Sequence, residues 1–362
     1  MDYAVIMAGG TGKRLWPLSR RRRPKQVLRL LDGKTLLGSC FDRLRPLFDP
    51  DRVLVLTNVD YADLVRQDLP ELPPDQVVAE PLVRDTCGAI GLAAAILTKR
   101  DPDAAMAVMT ADQVIRPPEV LQRAVQDGLR FVREHPQSLV TFGIKPTFAS
   151  TQLGYIKVAD PKVHPGCTNP IYQVEAFKEK PDAATAQAYL ESGQYSWNSG
   201  MFVWKAQTIL DSILRFLPQA KEPLAKIRDA WGTRRQAAAM QEWFPRLPKI
   251  SIDFAVMEKA SEVFAIKLDC QWLDMGSFAA LGQLIGGDAN NNVLAAKARE
   301  LLDCKGMIVA TEDDGHLIAA IGMDNVIIAH SPDATLVCPI GQAERLKELL
   351  DLMERRGATK YL

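Results

Sequence analysis

Between Tyr3 and Leu31 the chain carries eight cationic residues and no acidic one. Lys13, Arg14, the run Arg20–Arg23 and Lys25 are among them, and they follow directly on Ala8-Gly9-Gly10-Thr11-Gly12. Glycines tolerate positive φ and let main chain approach a ligand closely, so consecutive N–H groups there can converge on an anion. The segment has neither the Gly-x-x-x-x-Gly-Lys-Ser/Thr spacing of a Walker loop nor the Gly-x-Gly-x-x-Gly spacing of a dinucleotide fingerprint. Taken singly, the glycines read equally as a tight strand-to-helix turn, and the basic run as a solvated face. Together, at the C-terminal end of an apolar strand, they sit where open α/β sheets bind phosphorylated ligands. The residues therefore predict a polyphosphate site.

The elements that must position this site alternate. Short apolar runs at Tyr3–Met7, Arg52–Thr57, Gln76–Ala79, Ala105–Met109 and Leu139–Phe142 read as strands. Helical periodicity falls between them at Leu36–Phe48, Asp60–Leu69 (opened by an Asp cap), Thr86–Thr98 and Pro118–Glu134. Such alternation implies βαβ units and a parallel sheet covered on both faces. From Gly154 to Trp204 strands dominate, as at Ile171–Phe177 and Met201–Trp204, and helices return between Gln207 and Met240. Beyond Leu284 come the short runs Met307–Ala310, Leu317–Ile321, Asn325–Ala329 and Ala334–Val337, then a helix over Gln342–Arg356. These predict a small sheet or β-solenoid, although no exact repeat is visible.

Composition sets outer bounds. The 362 residues are 47% hydrophobic and 24% charged, as expected of a folded globular chain of two domains, or of one with an appendage. Forty-four basic residues against 44 acidic ones leave no net charge, which argues against nucleic acid as a partner. No apolar stretch approaches the ~20 residues of a membrane span, so no membrane partner is expected. The N-terminal segment has no basic and apolar leader pattern. Cys40, Cys87, Cys167, Cys270, Cys304 and Cys338 are scattered without Cys-x-x-Cys pairs, the pattern of reduced thiols in a cytoplasmic protein.

Gly9-Gly10-Thr11-Gly12-Lys13-Arg14-Leu15-Trp16-Pro17-Leu18-Ser19-Arg20, followed by Pro24-Lys25-Gln26, resembles the signature of the sugar-nucleotide pyrophosphorylases. Its Leu-Trp-Pro-Leu-Ser variant is similar to the mannose-1-phosphate guanylyltransferase branch, and further motifs follow in family order over residues 3–285. The resemblance implies an α/β, Rossmann-like nucleotidyltransferase fold of GT-A type. A mixed, mostly parallel sheet flanked by helices would form a catalytic domain over 1–285. A small β-rich, β-helix-like tail over 286–362, ending in a helix, would serve oligomerisation.

The resemblance also implies roles. Ala8, Gly9, Gly10, Thr11, Gly12 and Lys13 would wrap the nucleotide phosphates, while Arg14 and Lys25 would neutralise the triphosphate and act in catalysis. Ala79-Glu80-Pro81 and Arg84-Asp85-Thr86 would supply nucleotide contacts through Glu80 and Arg84. Guanine offers two adjacent donors that one carboxylate accepts together, so Glu80 would read the base; outside this context it is an ordinary strand-end charge. Thr110-Ala111-Asp112-Gln113 and Trp272-Leu273-Asp274-Met275-Gly276-Ser277 carry the two aspartates that would bind Mg²⁺ and act as catalytic residues, although either could be a helix cap. Gly154-Tyr155-Ile156, Phe177-Lys178-Glu179-Lys180-Pro181 and Trp197-Asn198-Ser199-Gly200-Met201-Phe202-Val203-Trp204 would hold the sugar phosphate through Gly154, Glu179, Lys180 and Asn198. An exposed turn is the plainer reading of Lys178–Pro181. The block Ser251–Lys259 is assigned mostly to structure, with Ser251 or Asp253 as a cap and Asp253 near the sugar.

The expected partners are thus GTP and mannose 1-phosphate as substrates, GDP-mannose and pyrophosphate as products, Mg²⁺ as cofactor, and a second copy of the chain in a homodimer. Departures from the family pattern fall at Thr110, Gln113, Asp85, Cys87-Gly88 and Gln152-Leu153. They leave open another hexose or heptose phosphate, another nucleotide, or a weakly catalytic GDP-mannose sensor. The tail is too short for a cupin-type isomerase domain, so isomerase activity is not expected.

Overall fold

In the computed structural model, which describes residues 1–10, 12–29 and 33–362, nine strands form one mixed sheet. They are β1 (Asp2–Met7), β2 (Val53–Asn58), β3 (Val77–Glu80), β4 (Ala105–Thr110), β6 (Leu139–Ile144), β7 (Gly154–Val158), β8 (Tyr172–Lys178), β9 (Tyr195–Lys205) and β10 (Val263–Leu268). Their order is β3-β2-β1-β4-β9-β6-β10-β8-β7. The short strands β5 (Gln113–Arg116) and β11 (Gln271–Asp274) complete this part of the chain.

β3, β2, β1 and β4 run parallel, and β9 enters antiparallel between β4 and β6. Continuous burial along Val53–Thr57 and Ala105–Met109 is what a parallel sheet covered on both faces requires. The Ala-rich helix Asp85–Arg100 is buried from Cys87 to Thr98 and shares a core with Ile209, Leu210, Leu224 and Phe244. Small side chains allow that close approach. Because β1, β2 and β3 are parallel, Met7, Asn58 and Glu80 all mark carboxyl ends at one edge of the sheet.

The tail strands are β12 (Val293–Ala295), β13 (Arg299–Leu302), β14 (Ile308–Thr311), β15 (Ile318–Ile321), β16 (Val326–Ser331) and β17 (Ala334–Pro339). β12, β14 and β16 pair in parallel, β13 pairs in parallel with β15, and β17 closes antiparallel on β16. Each chain turn thus lays one strand on each of two sheets, a β-helix-like coil, and the helix Leu346–Arg355 follows.

Contacts divide the chain into two units that do not follow the chain order. One holds residues 1–9, 41–110 and 115–271; the other holds 10–40, 111–114 and 272–362. In the second unit Leu15, Trp16, Leu18 and Leu28 bury against Met275, Phe278, Ile308, Ile327 and Leu350 in one apolar core. Trp16 Nε1 donates to the carbonyl of Tyr361 at 2.7 Å, and Arg20 Nη2 donates to Ser331 Oγ and Asp333, each at 2.6 Å. The basic segment and the β-rich tail are therefore a single folded body.

Two local expectations change. The helix expected over Asp60–Leu69 is capped by Asn58, whose Oδ1 accepts the Asp60 N–H at 2.9 Å; regular helix begins only at Ala62. Within the strand-rich stretch a helix also forms over Ala183–Ser192, with Asp182 accepting the Thr185 N–H at 2.8 Å.

Candidate active site

In the second unit Gly12 adopts φ +69°, and a Cβ there would fall 2.5 Å from Lys25 Cβ and 2.9 Å from its Cγ. Glycine at this position is what lets the Lys25 stem pass beneath the loop. Lys25 opens the short turn Lys25–Val27 and reaches Asp112, with which its ammonium forms an ion pair, while Asp274 Oδ1 lies 3.8 Å away. Burial works against the Lys25 charge, but Asp112 and then Asp274 outweigh it, and the pKa is raised. Lys25 therefore stays cationic at neutral pH.

The backbone fixes this group. Met275 N donates to Asp112 O at 3.1 Å, and Trp272 Nε1 donates to Gln113 Oε1 at 3.0 Å. Gln113 thus anchors the Trp beside Asp274. A Cβ on Gly276 would stand 3.6 Å from the Asp274 carboxylate oxygens and 3.8 Å from Arg14 Nη2, so the bare glycine leaves room between an acid and a cation. Arg14 and Lys13 are exposed. Thr11 lies outside the described residues.

In the first unit Ala8 and Gly9 continue β1. Ala8 N donates to Leu56 O at 2.8 Å, and Thr57 Oγ1 donates to Ala8 O at 2.9 Å, which holds the turn against β2. Glu80 ends β3 with 7% of its surface exposed, and its Oε2 lies 3.7 Å from where a Gly9 Cβ would be. Its Oε1 is buried without a hydrogen-bond partner among the described residues. Burial pushes its pKa up to about 8. A sequestered carboxyl with an unsatisfied oxygen costs about 1–3 kcal/mol, and a ligand donor would remove that penalty. Arg84 lies over Gly88 and donates to the Pro245 carbonyl.

A second polar group in the first unit gathers the residues predicted for the sugar side. A Cβ on Gly154 would collide with Glu179 Oε2 and fall 3.3 Å from Asn198 Cβ. Glu179 is buried; its backbone N–H donates to Glu258 Oε1 at 2.9 Å, and Lys180 Nζ donates to its Oε1 at 2.8 Å. Burial opposes the Lys180 charge, yet the pairing with Glu179 prevails and raises its pKa. Lys180 has φ 46°, a left-handed conformation that turns its half-exposed side chain back over Glu179.

Asn198 Nδ2 donates to Asp253 Oδ1 at 2.9 Å, while its Oδ1 accepts from Thr141 Oγ1 at 2.8 Å. Asp253 starts a π-helical turn over Asp253–Met257, a feature common at functional sites. Burial, then the charge of Glu179, raises its pKa to about 7. Thr141 lies in no motif and joins the group only through the sheet. Glu258 lies within the Ser251–Lys259 block and Thr86 in Arg84-Asp85-Thr86, but the sequence gives neither a role of its own; Thr86 Oγ1 accepts the Ile252 N–H at 2.8 Å.

The nucleotidyl transferase family matches residues 3–290, and a mannose-phosphate isomerase/GMP-like β-helix domain matches 301–353. The chain is similar to an Escherichia coli mannose-1-phosphate guanylyltransferase, with 35% identity over 100% of this chain and 76% of the relative. It is also similar to the xanthan biosynthesis protein XanB of Xanthomonas campestris, with 35% identity over 98% of this chain and 74% of the relative. A solved structure described as a mannose-1-phosphate geranyltransferase from Thermus thermophilus superposes with a TM-score of 0.86 at 34% identity, covering 98% of this chain and 99% of that one. The chain is a nucleotidyltransferase, and it belongs to the family that includes these mannose-1-phosphate guanylyltransferases.

Proposed function

We propose that the protein transfers GMP from GTP to α-D-mannose 1-phosphate, giving GDP-mannose and pyrophosphate. The observation that carries this reading is the meeting of Lys25, Asp112 and Asp274 from three distant segments. A phosphate monoester has its second pKa near 6, so the attacking oxygen is largely dianionic at neutral pH and needs no general base. His135, His164, His316 and His330 are all outside the groups just described, consistent with such a reaction.

What the protein must supply is alignment and charge. Main chain at Ala8–Lys13 would receive the triphosphate, and Lys25 and Arg14 would offset the charge that develops at the α-phosphoryl group. Glu80 would accept from guanine N1–H and N2–H₂. Lys180 would pair with the sugar phosphate, and Glu179 and Asn198, which pack against Gly154, would bond its hydroxyls.

Two carboxylates close to one ammonium form a hard-oxygen donor set suited to Mg²⁺, so Asp112 and Asp274 would hold that ion. When bound, it supplies Lewis-acid neutralisation of phosphate oxygens. Lys25, paired with Asp112 in the structure, would exchange one carboxylate contact for phosphate as substrate arrives. The homodimer and a cytoplasmic setting belong to the same reading.

Chromatographic identification of the product, from a panel of four nucleoside triphosphates and several hexose and heptose 1-phosphates, tests it. GDP-mannose should dominate. A different sugar nucleotide as main product would replace the substrate assignment, and an absence of product would favour a sensor.

A further inference from the structure

We propose that Asp313, His316 and His330 form a site for a divalent transition-metal ion of the Zn²⁺ class, separate from the Asp112 and Asp274 pair. One carboxylate oxygen and one nitrogen from each ring all lie within 4.8 Å of one another. Two of the chain's four histidines meet here although fourteen positions separate them in sequence. Their rings stack with centroids 3.6 Å apart and planes 10° from parallel.

The coil of the tail creates the meeting. Thr311 on β14 lies opposite His330 on β16, which in turn lies opposite Thr335 on β17. Cross-strand partners share a face of the sheet, so these three form one row. Thr335 Oγ1 engages Nδ1 of His330 at 2.9 Å, which fixes the ring and leaves Nε2 as its ligand atom. Thr311 Oγ1 accepts the Asp313 N–H at 3.0 Å and pins the turn after β14 beside that row. Within the turn Gly315 N donates to Asp313 Oδ1 at 3.0 Å, and His316 N donates to Asp313 O at 3.2 Å.

The donor chemistry decides the class of ion. Imidazole with a single carboxylate suits Zn²⁺ and its neighbours, whereas Mg²⁺ takes oxygen ligands. Three protein ligands leave a fourth position for water. Parallel rings do not aim both nitrogens at one point, so binding requires one ring to turn. His316, exposed on the turn, is the one that rotates, while Thr335 holds His330. An ion here would clip the β14–β15 turn to β16.

The test is calorimetric titration of the untagged, EDTA-treated full chain with ZnCl₂ in excess Mg²⁺, repeated with CoCl₂ under absorption spectroscopy. The site predicts one Zn²⁺ per chain at micromolar Kd, and Co²⁺ bands without thiolate charge transfer. His316→Ala, on an exposed turn where folding is not at risk, should weaken binding at least about tenfold, and Thr335→Val about tenfold through loss of the orienting hydroxyl. His164→Ala, in the separate His135–His164 pair, should leave binding unchanged, as should Cys338→Ser. Nucleotidyl transfer should be unaltered in His316→Ala, which separates this inference from the proposed reaction. Binding weaker than about 100 μM, a thiolate band, or equal affinity in His316→Ala would overturn it.

Discussion

Nδ2 of Asn198 donates to Oδ1 of Asp253 at 2.9 Å, with both side chains buried. The bond fixes which way the Asn amide points, and it places a titratable group behind a predicted sugar contact. Asp253 has its pKa raised from 3.8 to about 7, chiefly by burial. The folded state thus holds its proton more tightly than the unfolded state. Ionisation of Asp253 subtracts stability progressively between those two values, and the full cost persists above the upper one. Asp253→Asn should therefore gain melting temperature relative to wild type as pH rises from about 4 to about 7, with a constant difference beyond. A pH-independent difference across that window, read by thermal unfolding, would contradict the assignment.

Glu80 titrates in the same sense, with burial lifting its pKa to about 8. If guanine binds the carboxylate, the unliganded protein must first lose that proton at lower pH. The KM for GTP should fall as pH rises toward about 8 and then level. Glu80→Gln replaces one acceptor with a donor, so it should remove this dependence and shrink GTP-over-ATP discrimination by about 1–3 kcal/mol. Steady-state kinetics with both nucleotides across pH measure both effects, and an unchanged GTP/ATP ratio would place the base reader elsewhere.

Asp112→Asn and Asp274→Asn should each lower turnover at least ~100-fold, the scale of losing a main electrostatic contact to the transition state. Lys25→Ala should act on the same step. The structure adds a distinction, because Asp112 contributes more than Asp274 to holding the Lys25 charge. The Lys25 pKa should drop further in Asp112→Asn, which NMR of the labelled ammonium would register. Near-wild-type turnover in either aspartate variant would remove that residue from the site.

The tail leaves Leu302, Leu317, Ile321 and Val337 more than half exposed. The proposed homodimer would cover these side chains with the same tail of a second copy of the chain. Light scattering at micromolar concentration should give about twice the 40.0 kDa chain mass. Ile321→Lys should shift the mass toward the monomer, and a monomeric wild type would defeat the dimer.

The strand–helix alternation of the first half was legible because each run had one dominant periodicity. Glu80 was legible only through its motif, since its isolation from partners is a tertiary fact. The helix Ala183–Ser192 lay hidden in a strand-rich stretch, although its Asp182 cap and Gly193, at φ 65°, bracket it in the sequence. The coil of the tail showed no exact repeat because its turns differ in length, from Val293 to Ile308 and from Ile308 to Ile327. Nothing in the sequence announced that residues 10–40 and the tail share a core; that pairing of Leu15, Trp16 and Leu18 with Ile308 and Leu350 depends on long-range packing alone.

The most direct measurement mixes purified protein with GTP, mannose 1-phosphate and Mg²⁺ and follows pyrophosphate release. Pyrophosphate should equal the GDP-mannose formed, depend on both substrates, and be lost in Asp274→Asn. Pyrophosphate no faster than in the enzyme-free mixture would contradict it.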